Sequence, residues 1–295
     1  MPHPLSNTEL TIMAASHSDS DRLPSPACEQ PVDVRGGIQG APSHDWDIIA
    51  EEIPVAMVYN GVSHAVMMAT PCDLEDFAVG FSLSEGILQR PDQLFTIEVK
   101  PSADGVTVEM HIAGDCYARL QQQRRNMAGR TGCGLCGTES IAHVVRAIPL
   151  VTAQAIPADE VIQHALRDLK KHQPLQLQTG ATHGAAWCNS NGEILLARED
   201  VGRHNALDKL IGARIRELGN QAFADGFALI SSRASFEMVQ KSASVGISSL
   251  VAVSAPTALA IREARNSGMN LIGFARPGRH VIYSQSGQCS EENQL

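Results

Sequence analysis

Between residues 227 and 274 the chain alternates short apolar runs with amphipathic stretches, and this alternation constrains the fold more than any other feature. Residues 227–230, 250–253 and 271–274 are near-continuously apolar, and residues 234–245 and 257–267 between them have helical spacing. A strand covered on both faces has no polar side to present, so it reads as an unbroken apolar run. Strand–helix–strand order implies parallel pairing through right-handed crossovers. The segment therefore predicts an α/β sheet. Ligands of such sheets sit beyond the carboxyl ends of the strands. Ser231-Ser232-Arg233, Ser254-Ala255-Pro256-Thr257 and Ala275 to Arg279 follow those ends.

The rest of the chain is organised around this core. Residues 181–188 and 193–198 read as strands split by Asn189-Ser190-Asn191-Gly192, and residues 204–218 as a helix. Helices are also expected over 116–126, 138–147 and 157–172. Upstream, residues 53–60 and 62–69 form a hairpin, because Asn60-Gly61 tolerates the positive φ of a type I′ turn. A helix starts at Leu74, with Leu74, Phe77, Ala78 and Phe81 in register, and stops at Gly86. Strands follow over 94–100 and 105–113. The expected architecture is α/β, with a large C-terminal α/β domain over 131–285 and a smaller N-terminal α+β domain over 46–130. Residues 1–45, with six of the fifteen prolines, and residues 286–295 read as disordered tails.

The sharpest chemical signal is Thr131-Gly132-Cys133-Gly134-Leu135-Cys136-Gly137. Glycines leave the backbone free to expose sulfur. Arg119, Arg124, Arg125 and Arg130 flank the loop with no Asp or Glu from Cys116 to Gly137, and nearby cations favour the reactive thiolate. Three chemistries fit a Cys-x-x-Cys pair. Zinc would want a second ligand pair, which the sequence lacks. A thioredoxin-like motif would open a helix after a strand, not sit in a glycine loop between helices. A sulfur-carrying or nucleophilic loop is the third.

The second signal is Glu199-Asp200-Val201-Gly202-Arg203-His204-Asn205-Ala206-Leu207-Asp208-Lys209, a charged cluster between a strand and a helix. Capping by Asp200 or Asn205 accounts for part of it. A site at this junction accounts for the rest, with Glu199 or Asp200 accepting from a purine edge and Arg203 near phosphate. Glu237 and Lys241, four apart, are expected to form a surface ion pair. Phe274-Ala275-Arg276-Pro277-Gly278-Arg279 places two guanidiniums around a turn, suited to phosphate.

Composition excludes some partners. The 295 residues include 23 basic and 32 acidic side chains, a formal charge of −9. Duplex nucleic acid needs a basic footprint, so it is not expected as a partner. No stretch reads as a secretory signal or a membrane span, so the expected compartment is the cytoplasm, where the seven cysteines stay reduced.

Taken in order, Glu52-Ile53-Pro54, Asn60-Gly61, Thr70-Pro71, Asp76-Phe77-Ala78-Val79-Gly80-Phe81, Ser84-Glu85-Gly86, the Cys133 to Gly137 loop, Glu199 to Asn205, Ser232-Arg233 and Ser254 to Thr257 resemble the FdhD family of formate dehydrogenase accessory sulfurtransferases. The resemblance implies a sulfurtransferase. It would take sulfane sulfur from a cysteine desulfurase as a cysteine persulfide. It would pass that sulfur to the molybdenum bis(molybdopterin guanine dinucleotide) cofactor, a bound substrate, before insertion into formate dehydrogenase. By position, Cys133 would carry the persulfide and Cys136 would be its partner. Phe274, Ala275, Arg276, Pro277, Gly278 and Arg279 match the cofactor-binding segment. No permanent metal is expected, and a second copy of the chain is a candidate partner. The resemblance also implies a cytidine-deaminase-like large domain. Deamination itself is disfavoured, because no His-x-Glu occurs and Gly132 precedes Cys133 where a deaminase has proline.

Overall fold

The computed structural model describes residues 22–34, 43–128 and 148–287. Strands β1 (Ala27–Val34) and β2 (Ser43–Ala50) pair antiparallel as a separate ribbon. This corrects part of the expected tail: the weak alternation of its apolar residues carries little sequence signal, yet Ala27–Val34 pair with Ser43–Ala50. Strands β3 (Ile53–Tyr59) and β4 (Val62–Ala69) form the expected hairpin, with Asn60 at φ 48° and Gly61 at φ 79°. Helix α1 (Leu74–Ser84) leads to β5 (Leu94–Ser102) and β6 (Gly105–Ile112), completing a four-stranded sheet of order β4-β3-β6-β5. Helix α2 (Gly114–Ala128) follows. The expected helix over 138–147 lies outside the described residues.

The second half begins with α3 (Asp159–Leu169) and a short α4 (Pro174–Thr179), which the sequence reading did not include. Strands β7 (His183–Cys188) and β8 (Ile194–Asp200) precede α5 (Arg203–Leu218). Then β9 (Phe227–Ile230), α6 (Phe236–Ser244), β10 (Ser249–Ala252), α7 (Ala258–Ser267), β11 (Asn270–Arg276) and β12 (Arg279–Ser284) complete a six-stranded sheet of order β12-β11-β10-β9-β7-β8. β9, β10 and β11 are parallel, as the alternation predicted. β7 runs antiparallel to β8 and β9, and β12 antiparallel to β11. β12 is an edge strand with mixed exposure, so its pattern carries no buried-strand signature.

Side-chain alternation in the six-stranded sheet feeds two cores. Ala186, Cys188, Leu229, Val251 and Ile272 pack under Ile162, Ala165 and Leu169 of α3. Ala185, Trp187, Ala228, Ile230 and Leu250 face the other way, toward Leu207, Leu210 and Ile211 of α5 and Met238 and Val239 of α6. This second core does not stop at α5. It continues through Phe77 and Phe81 of α1 into Val55, Met57, Val108 and Met110 of the four-stranded sheet. The two sheets thus share one core, with α1 and α5 between them.

Two glycines make this possible. A Cβ on Gly80 of α1 would lie 1.8 Å from the Asp208 carbonyl oxygen, and one on Gly212 of α5 would lie 1.8 Å from the Asp76 carbonyl oxygen. The helix backbones touch directly, and no side chain fits between them. Gly80→Ala or Gly212→Ala must push the helices apart, an overpacking that costs about 3 kcal/mol. Urea denaturation of either variant is expected to show that loss. Gly114→Ala, where the added methyl meets nothing within 4 Å, is expected to stay within about 0.5 kcal/mol of the parent.

Candidate functional site

Among the described residues, the motifs Glu199 to His204, Ser231 to Arg233, Ser254 to Thr257 and Phe274 to Arg279 meet at one end of the six-stranded sheet. His183 opens β7 opposite Asp200, the last residue of β8. Ala185 stands opposite Ile230, so Ser231-Ser232-Arg233 leave β9 at the same end. The loops there are stitched together. Ser231 and Gly184 exchange bonds, with the Gly184 N–H donating to Ser231 Oγ at 2.9 Å and the Ser231 N–H to the Gly184 carbonyl at 2.9 Å. The Phe274 N–H donates to the Ser254 carbonyl at 3.1 Å, and the Thr257 N–H to the Ala234 carbonyl at 3.1 Å.

Glu199 and Asp200 are consumed by their own chain. Asp200 Oδ1 accepts from the Gly202 N–H (2.8 Å) and Asn205 Nδ2 (2.9 Å), and Oδ2 accepts from the Thr70 N–H (3.0 Å) and pairs with Lys209 Nζ (2.7 Å). A carboxylate has about four acceptor sites, so Asp200 has none left, and both members of its ion pair have fully buried side chains. Glu199 accepts from the Leu175 and Gln176 N–H groups (2.9 and 2.7 Å) and from Thr182 Oγ1 (3.0 Å), which caps the start of α4. These contacts give the two carboxylates a structural role. Removing one partner of a buried ion pair typically costs 3–5 kcal/mol, on the order of the net stability of many domains.

The other half of the motif is less satisfied. Gly202 caps α5 with no side-chain bond, and Arg203 and His204 open the helix. Arg203 Nε is shielded from water and has no acceptor. His204 Nε2 lies 3.0 Å from Glu237 Oε2 of α6. Burial and then the Arg203 charge hold the His204 imidazole below its ordinary value, against the pull of Glu237. The same two causes lower His183, against the pull of Asp200. The sequence reading paired Glu237 with Lys241 on the surface, and the structure corrects it. Lys241 turns inward, 2.8 Å from both Asp208 and Glu85 and 3.0 Å from Ser84 Oγ. Burial alone would lower the Lys241 ammonium, but those two carboxylates more than offset it and leave it above its ordinary value.

The arginine turn is held as a unit. Phe274 takes φ 48° at a bulge between Gly273 and Arg276, and the Arg276 guanidinium lies 5.8 Å over its ring. Pro277-Gly278 turns the chain, with Gly278 at φ 75° and Arg276 paired across from Arg279. Gln163 of α3 clamps the turn, accepting from the Gly278 N–H at 2.7 Å and donating to the Arg276 carbonyl at 3.1 Å. Arg276, Pro277, Gly278 and Arg279 are exposed. Ala275 is instead buried in the core beneath α3, which makes it a packing residue.

Cys133 and Cys136 lie outside the described residues. Among the described cysteines, Cys116 and Cys188 are buried. Cys72 borders a cleft of about 370 Å³ with Arg198 and Glu199, but burial pushes its thiol up to about 11, only partly offset by Lys209. Cys72 and the Lys209–Asp200 pair escaped the sequence reading, because no local pattern links residue 72 to residue 209. The two histidines make the fold pH-sensitive. Their folded forms refuse protons that the unfolded chain accepts, so stability is expected to fall as pH drops through about 6.5. Thermal unfolding between neutral and mildly acidic pH is expected to show that slope, and the His183→Asn, His204→Asn double variant to flatten it.

Comparison with known proteins places the chain among relatives. The FdhD/NarQ family pattern matches residues 50–290. A sulfur carrier protein FdhD from Bordetella petrii is 54% identical over 252 residues, covering 85% of this chain and 89% of that protein. One from Cupriavidus necator is 51% identical over 249 residues, covering 84% and 86% respectively. A crystal structure from Desulfotalea psychrophila, described as a formate dehydrogenase accessory protein, shares the fold with TM-score 0.65 at 23% identity, over 88% of this chain and 96% of that one. The chain belongs to the FdhD/NarQ family.

Proposed function

We propose that this protein is a sulfur carrier of formate dehydrogenase maturation. The Cys133 thiolate attacks the terminal sulfur of a cysteine desulfurase persulfide. A new S–S bond forms on Cys133, the donor's S–S bond breaks, and the donor leaves as a thiolate. The terminal sulfur then passes to the reduced metal of the bis(molybdopterin guanine dinucleotide) substrate: the S–S bond on Cys133 breaks, a metal–sulfur bond forms, the metal gives up the two electrons that take the sulfur to the sulfide level, and Cys133 leaves as a thiolate with Cys136 nearby in sequence. The loaded cofactor goes on to formate dehydrogenase. The chemistry requires reduced thiols, so the compartment is the cytoplasm. Relatives of about half-identical sequence that carry the name sulfur carrier protein support this reading, as does the acid-free arginine flank of the thiol loop.

The observation that carries the cofactor half is at the start of α5. Arg203 presents a water-shielded N–H with no acceptor, beside a helix start that no side chain caps. A buried unpaired donor costs roughly 1–3 kcal/mol, and a phosphate oxygen would relieve it. Arg276 and Arg279 sit at the same end of the sheet with guanidiniums facing solvent. We assign these arginines to the diphosphates of the guanine dinucleotide, and the six-stranded sheet, with its antiparallel β7, to the cytidine-deaminase type. Glu199 and Asp200 support that site from beneath without touching the base.

Two measurements test the proposal. After incubation with a cysteine desulfurase and cysteine, intact mass spectrometry is expected to show one labile sulfur on the parent and none on Cys133→Ala. Full loading of Cys133→Ala would rule that thiol out. With GDP as the probe, Arg276→Ala and Arg279→Ala are each expected to weaken binding about tenfold by calorimetry, the loss of one charge-assisted contact. Unchanged GDP affinity in both would remove the turn from the site.

A further inference from the structure

The β1–β2 ribbon belongs to neither large sheet. A two-stranded ribbon is at best marginal alone in water, and this one leaves apolar groups uncovered. Trp46 is 66% exposed, Val34 46% and Ile49 38%. Trp46 stands opposite Pro31, on the face that also carries Glu29 and Asp33. The described residues 27–34 and 43–52 hold Glu29, Asp33, Asp45, Asp47, Glu51 and Glu52 and no Lys or Arg. The one Arg in the connection, Arg35, lies outside the described residues. His44 Nδ1 lies 2.5 Å from Asp33 Oδ1. Among the described residues the ribbon therefore presents an exposed indole with Glu29 and Asp33 on the same face, Asp45 and Asp47 lie on the other face, and neither strand pairs with a further strand.

We propose that this ribbon is a docking arm for a basic protein surface, and that the surface belongs to cofactor-free formate dehydrogenase; the choice of partner rests on the function proposed above. Charge selects the occupant. Anionic lipid, nucleic acid and a second copy of a chain of net charge −9 would all bring like charge to the arm. An enzyme that receives a cofactor with two pyrophosphate groups needs cationic side chains to bind them. Such a cationic surface is complementary to the carboxylates, and an aromatic anchor inside a charged rim is the usual form of an interface centre. The arm also precedes residue 50, where the family match starts, so it adds to the framework the family pattern captures.

The test uses the full chain and purified, cofactor-free formate dehydrogenase catalytic subunit from the same source, immobilised for biolayer interferometry. Binding is expected to weaken as salt rises. Trp46→Ala and the Glu29→Gln, Asp33→Asn double variant are each expected to lose about tenfold in affinity. Hydrogen exchange in the complex is expected to slow in residues 27–34 and 43–50. No binding by the parent chain, unchanged affinity in both variants, or unchanged exchange in the ribbon would each overturn the arm. Sulfur loading of Cys133 is expected to be intact in both variants. If the parent itself fails to load sulfur while the docking persists, the sulfur-carrier reading fails and the arm does not.

Discussion

The backbone contact between α1 and α5 is the constraint on which the rest of the architecture depends. At Gly80 and Gly212 the two helices approach until a methyl group would overlap a carbonyl oxygen. That closeness brings buried polar groups of one helix within reach of the other. Ser84 Oγ meets Asp208 Oδ1 at 2.6 Å, and Lys241 joins them from α6. At the other end of the crossing, Arg216 of α5 reaches Asp76 of α1 at 2.6 Å, and Asp76 also receives Arg198 at 2.8 Å. A single apolar face could have held the sheets together less specifically. The paired charges fix one register of α1 on α5, because a slip would strand an uncompensated charge in the core.

The same crossing connects the four-stranded sheet to the site. Thr70 follows β4, and its N–H and carbonyl are bound by Asp200 and Lys209 (3.0 Å each). Asn205 donates to the Met68 carbonyl at 2.8 Å. The end of β4 and the start of α5 are therefore one rigid piece, so Arg203 is positioned by contacts from both halves of the chain. The arginine turn is set by a different device, the Gln163 clamp from α3 on the opposite face of the sheet. The two cationic elements thus rest on independent supports.

Much of this was legible in the sequence. The Asn60-Gly61 hairpin, the alternation after residue 227 and the glycine stop at residue 86 are local events with local causes, and each stands where the pattern put it. The gathering of Ser231 to Arg233, Ser254 to Thr257 and Ala275 to Arg279 at one sheet end followed from strand direction alone, whereas Glu199 to His204 reach that end through the antiparallel pairing of β7 with β8 and β9. What the pattern could not supply was partner choice over long separations. Lys241 looks like the mate of Glu237 on a helical wheel, but it binds Asp208 and Glu85, because α6 buries that face against α1. Asp200 looks like a ligand group until Thr70, distant in sequence, is seen to occupy it. Ala275 sits within a basic turn, yet strand alternation sends it inward. The ribbon of β1 and β2 was hidden by Pro31 and its carboxylates.

The saturation of Asp200 has an evolutionary consequence. Its four donors come from the end of β4, the loop before α5 and two turns of α5 itself. No single replacement at Asp200, Asn205 or Lys209 keeps that set complete, since each change orphans a buried group. Drift at this junction must therefore proceed as a block or not at all, while the solvent-facing arginines beyond it are free to change one at a time. A lineage could thus retune what the sheet end holds without renegotiating how the two halves of the molecule are joined.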